Sequence, residues 1–99
     1  MNLEIRYLHP DAAVPFRAYE RAAAYDLGAF TVNEHGRETT VTIPPRSTIR
    51  IKTMVALRPP PGFFILCCSR SGLALQSIFL ANAPGVVDPD YTGDISALL

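Results

Sequence analysis

The chain has 99 residues, nine basic against nine acidic, and 48% of them are hydrophobic. That suits one small domain with a packed core over residues 1–99 and excludes a disordered chain. A neutral sequence without a Lys/Arg cluster offers no electrostatic footprint for nucleic acid or an anionic membrane, and no apolar run approaches the ~20 residues that span a bilayer. The opening MNLEIRYLHP carries charges where a signal peptide needs an apolar stretch, so the expected location is cytoplasmic, or nuclear for a eukaryotic or viral source.

In chain order the pattern is β throughout. Leu3, Ile5 and Tyr7 alternate with Asn2, Glu4 and Arg6, which predicts a half-buried strand. Residues 29–33 and 39–43 are rich in β-branched side chains, and NEHGRE between them carries turn chemistry, so they read as a hairpin. Pro44 and Pro45 end the second strand, because proline cannot donate to a ladder. Residues 47–57 restart the pattern, with Ile49 and Ile51 on one face and Arg50 and Lys52 on the other. After the break Pro59-Pro60-Pro61-Gly62, residues 63–68 form a buried-type strand. Residues 69–76 have room for one helical turn, and residues 78–81 are short and extended. Val86-Val87 and residues 95–99 flank DPDYTG and read as a second hairpin. Many short strands punctuated by six glycines and nine prolines predict an all-β sandwich or barrel. The adjacent Cys67 and Cys68 point to opposite faces of a strand, which argues against a disulfide or a shared metal site and for two small apolar strand residues.

Three places could carry chemistry. Asp88 and Asp90 flank a proline in a tight turn, where short acidic side chains usually bond their own backbone; the functional alternative is a general base holding a water within hydrogen-bond reach. Ser69-Arg70-Ser71-Gly72 follows a strand and precedes a helical turn. Its planar guanidinium, hydroxyl and glycine could receive phosphate oxygens, or the segment could be a capping serine beside a surface arginine. Tyr25-Asp26 is either a core tyrosine with a turn aspartate or a carboxylate beside a hydrated Mg²⁺.

Taken in this order the three segments resemble motifs of the trimeric dUTP diphosphatases (dUTPases). AAAYDLGA resembles the first motif, SRSGLAL the second and NAPGVVDPDYTGDI the third, which is the most specific because it fixes many positions in a row. With the lead-in LHPDAAVPFRAYERAAAYDL, the resemblance spans nearly the whole chain. It implies a dUTPase-like distorted β-barrel or jelly-roll sandwich, a homotrimer, and hydrolysis of dUTP to dUMP and pyrophosphate with Mg²⁺. Asp88 would position and deprotonate the attacking water. Tyr91 would stack under the deoxyribose and exclude a 2′-hydroxyl. Asn82 and the backbone of Gly85, Val86 and Val87 would read uracil, with Ser96 as a further base contact. Arg70, Ser71 and Gly72 would bind phosphates, and Asp26 would reach Mg²⁺ through water.

The sequence departs mildly from the family where Ala24 replaces a glycine, Ser69 a proline and Thr92 a longer polar residue. The larger departure is that the fourth motif and the glycine-rich fifth motif are absent. The expectation is a C-terminally incomplete domain, inactive alone, because each family site takes motifs from three subunits. A dCTP deaminase relative and a non-catalytic nucleotide-binding or regulatory module are the alternatives. The first would use a glutamate after the third motif, and no glutamate follows Glu38.

Overall fold

A computed structural model describes residues 2–99. Its elements in order are β1 (Glu4–Tyr7), β2 (Arg50–Ile51), β3 (Val55–Arg58), β4 (Ile65–Cys67), a single helical turn α1 (Ser71–Ala74), β5 (Gly85–Val87) and β6 (Ala97–Leu98). The strands pair as β1 with β3, β2 with β6 and β4 with β5, all antiparallel. Single backbone hydrogen bonds join these pairs. Ile95 N–H donates to the Val55 carbonyl at 2.9 Å and Ala81 N–H to Leu98 at 2.7 Å, while Leu8 N–H to Met54 at 2.8 Å extends the β1–β3 pair. The all-β architecture is therefore as expected, with strands even shorter than the pattern suggested.

The core is small. Val55, Leu57 and Ile95 form its centre, with Ala12, Leu27, Ile65, Cys67 and Val87 packed against it. β4 and β5 thus each turn alternate residues inward, as a strand covered on one face must. The outward faces stay bare: Leu66 is 54% exposed, and β1 is exposed along its length, so neither the expected burial of residues 63–68 nor that of β1 is realised. A monomer of this 10.8 kDa mass normally exposes about 5,500 Å², yet the chain exposes 7664 Å². Its own residues do not supply a second layer over these faces. Among the described residues, no helix is long and apolar enough to cross a membrane.

Three sequence expectations need correction. The predicted strand over residues 47–57 is split into β2 and β3 at Met54, whose φ of 57° lies in the left-handed region. Residues 29–33 and 39–43 pair over a shorter length than expected, through the bridge between Val32 and Glu38 and the hydrogen bond from Thr39 N–H to the Thr31 carbonyl at 2.8 Å. The turn between them is real, since the Asn33 side-chain oxygen accepts from His35 N–H at 2.9 Å and Arg37 N–H at 3.0 Å. Finally, β5 and β6 are not partners of each other, because one joins β4 and the other β2. The physical reason is Asp94. Its carboxylate takes the backbone N–H groups of Thr53 and Met54 and draws the chain after the turn onto the β2–β3 kink.

Candidate nucleotide site

β5 enters the site from a close approach. Gly85 is buried, and a Cβ there would lie 3.4 Å from the Cys67 Cβ and 3.5 Å from the Asn82 amide nitrogen. Beyond Val87 the chain turns, with Tyr91 N–H donating to the Asp88 carbonyl at 3.1 Å. Among the described residues, neither the Asp88 nor the Asp90 carboxylate accepts a hydrogen bond or forms an ion pair. The usual reason for an aspartate in a turn, a bond to its own backbone, is thus missing at both positions. The Tyr91 ring folds back over Gly93, where any Cβ would meet its hydroxyl oxygen at 2.6 Å. That hydroxyl donates to the Asp94 carbonyl at 3.0 Å.

These groups face one cavity of about 360 Å³, within the ordinary range for a small-molecule site. Asn82, Val86, Val87, Asp88, Tyr91 and Ser96 all line it, so the structure brings six sequence-predicted residues to one place. Arg50 and Asp94 line it too, and neither was legible as a site residue. Arg50 looked like a solvent-facing strand position, and Asp94 fell between the turn and the strand after it. The only available signal for Asp94 was its place directly after Gly93, within the most specific motif.

Gly85, Arg70, Ser71, Gly72 and Asp26 do not line this cavity. Arg70 precedes α1 in an extended conformation, with φ −92° and ψ 128°, and no side chain caps the turn. Ser69 anchors the segment by accepting the Leu80 N–H on its hydroxyl at 3.0 Å. Arg70, Ser71 and Gly72 themselves are exposed. Asp26 pairs through its backbone with Phe16, at 2.7 and 3.2 Å, and its carboxylate is uncommitted among the described residues. No cluster of three or more His, Cys, Asp or Glu side chains that could hold a metal occurs among the described residues. A lone hard-oxygen donor is nevertheless suited to Mg²⁺ that keeps most of its waters and takes its direct ligands from phosphates. Cys67 and Cys68 are free thiols. Burial, and secondarily the neighbouring Cys68, pushes the Cys67 thiol up from its ordinary value.

The family model described as dUTPase matches residues 11–99. The chain belongs to the dUTPase family. Among its relatives, the deoxyuridine 5'-triphosphate nucleotidohydrolase of Heliobacterium modesticaldum is 34% identical over the whole chain, and that of Picosynechococcus sp. is 37% identical. The chain spans 66% and 65% of their respective lengths. Among solved structures, a dUTPase from phage phi11 of S. aureus, in which a structural Mg(II) ion is coordinated, superimposes with a TM-score of 0.77 at 27% identity. The match covers 99% of this chain and 58% of that dUTPase.

Proposed function

We propose that this chain carries the base, sugar and water-activating parts of a site that hydrolyses dUTP to dUMP and pyrophosphate. The observation that carries the proposal is the single cavity shared by Asn82, Asp88, Tyr91 and Ser96, with the Asp88 carboxylate uncommitted. A water held by Asp88 attacks the α-phosphorus in line, its proton passes to Asp88, and pyrophosphate leaves with the electrons of the broken P–O bond. Tyr91 lies beneath the deoxyribose, where its ring leaves no space for a 2′-hydroxyl. Asn82 and the β5 backbone read the base. Among the described residues β5 pairs on one side only, with β4, and in an antiparallel ladder alternate residues turn their N–H and C=O away from the partner. Those backbone groups are therefore available to a uracil edge.

The phosphate groups of the site come from a second copy of the chain in a homotrimer. Support lies in the exposure of Arg70, Ser71 and Gly72 away from the cavity, and in the excess apolar surface that an assembly would cover. Bound with the triphosphate, Mg²⁺ supplies charge neutralisation, and Asp26 is the carboxylate that would hold one of its waters. The pairing of Asp88 with Tyr91 in one cavity favours phosphate hydrolysis over a deaminase-type reaction.

The test is to mix two variants, Asp88→Asn and Arg70→Ala, each made in a chain that also carries the family's fourth and fifth motifs and each assayed for pyrophosphate release from dUTP with Mg²⁺. Each is inactive alone. In randomly mixed trimers about a quarter of the sites pair an intact Asp88 with an intact Arg70 from the neighbour, so about that share of activity returns. No recovery would place both residues in one chain's site. An inactive wild type that still binds dUMP would leave a binding module in place of an enzyme.

A further inference from the structure

We infer that the chain has a second reactivity of its own: in weak acid it cleaves its backbone between Asp88 and Pro89, with the Asp88 carboxylate as the nucleophile. The inference does not require a nucleotide in the cavity. An aspartyl carboxylate and the carbonyl carbon of the same residue close a small, unstrained ring, so attack forms a cyclic anhydride. The residue that follows decides the course. An ordinary successor has a backbone N–H, and its nitrogen attacks the carboxyl group to give a succinimide without breaking the chain. Proline has no such N–H, and its nitrogen is more basic and leaves more readily once protonated. Asp88-Pro89 is the one aspartyl–proline bond in the sequence.

The fold prepares this bond in two ways. An aspartate that opens a turn ordinarily accepts the N–H two residues on, here that of Asp90, and among the described residues this bond is not made. The carboxylate is therefore free to face its own carbonyl carbon. Asp88 and Pro89 are both exposed, so water reaches the intermediate. Then, Tyr91 N–H closes the turn on the Asp88 carbonyl at 3.1 Å, and that carbonyl is the one under attack. The donor is in place before the oxygen gains negative charge, which is how an oxyanion donor lowers a barrier. The charged groups that share the cavity with Asp88 are Arg50 and Asp94, and Asp90 stands beside it in the turn. Among the described residues none of them forms an ion pair with Asp88. In the reaction the carboxylate oxygen bonds to the Asp88 carbonyl carbon and the C–N bond to Pro89 breaks. The electron pair leaves on the nitrogen, which takes a proton from the medium. Water then opens the anhydride and leaves two carboxyl groups on residue 88. The step needs both an ionised carboxylate and a proton for the nitrogen, hence weak acid. Its products, residues 1–88 and 89–99, part Asp88 from Tyr91 and Ser96 and so divide the cavity's lining.

The test holds the chain at the lowest pH that preserves its native circular dichroism, and at the same pH in urea, and follows both by intact-mass spectrometry. Fragments 1–88 and 89–99 should accumulate at least about tenfold faster in the folded chain than in the unfolded one, because only the fold sets the Tyr91 donor on the carbonyl. At neutral pH they should nearly vanish. Asp88→Asn should abolish them. Pro89→Ala should abolish them as well and give in their place a species lighter by one water, the succinimide, which shows that the carboxylate still reacts. Cleavage that is equally fast or faster in urea overturns the inference, since the turn then contributes nothing. Cleavage that survives Asp88→Asn, or that falls at another bond, overturns it too.

Discussion

The two halves of the proposed site are built to different standards. The segment from Asn82 to Ser96 is held from several sides: β5 by β4, Tyr91 by Gly93 and the Asp94 carbonyl, and Asp94 by the Thr53–Met54 backbone. The segment from Ser69 to Leu75 has one side-chain anchor, at Ser69, and ends on a leucine that is 89% exposed. Within one chain the first half is pre-organised and the second is not. A site divided between chains explains the contrast, because the half that meets the base needs precise donors and acceptors before binding, while the half that meets phosphates acquires its surroundings on assembly.

The sharpest way to break that comparison is at Asp88. Asp88→Asn should lower the rate of pyrophosphate release by roughly 10²- to 10⁴-fold while leaving dUMP binding nearly unchanged, since the lost group moves a proton and does not grip the ligand. Comparable losses in rate and affinity would mean that Asp88 is a binding residue. A smaller but still large effect separates the two halves by stability. Ile95→Ala, at a position only 3% exposed, should cost about 2–5 kcal/mol in urea unfolding. Leu75→Ala should stay within about 0.5 kcal/mol at low protein concentration and destabilise only where the chains assemble. A concentration-independent penalty at Leu75 would show that this segment is already packed within one chain.

The smallest expected effect concerns the thiols. Burial raises the folded-state pKa of Cys67, so its protonated form is favoured by folding. That contribution is complete below the unfolded value of 9.0 and is lost as pH rises through the folded value. Stability should therefore decline slightly in the alkaline range, and Cys67→Ala should abolish that portion of the decline. Iodoacetamide at mildly alkaline pH should label the exposed Cys68 before Cys67, as read by peptide mass mapping. Equal labelling would show that β4 opens more readily than its packing against the core suggests.

Much of the fold class was legible because it depends on local chemistry, and the residues that line the cavity were legible through the motif that carries the family resemblance. Short β-branched runs between glycines and prolines lead to short strands, and the turn over NEHGRE is closed by Asn33 through its own side chain. The grouping of Asn82, Asp88, Tyr91 and Ser96 was an implication of the family resemblance, whose most specific motif lies within one short stretch of sequence. What was misjudged was non-local. Alternation in residues 47–57 concealed the break at Met54, because a methionine gives no warning of positive φ. The apparent hairpin around DPDYTG failed because Asp94 takes the Thr53 and Met54 N–H groups and draws the returning chain beside β2, while β5 pairs with β4.

Arg50 and Asp94 mark the same boundary. By itself the sequence determined that this is a dUTPase-family chain of short strands, and which carboxylate and which aromatic ring lie beside one another, since a tight turn carries that information within a few residues. Only the tertiary structure decided that Arg50, forty-six positions before Ser96, donates to its hydroxyl, and that Asp94 grips the backbone of Thr53 and Met54 some forty positions away. Which donors and acceptors meet is decided by folding, and no local pattern encodes such a meeting.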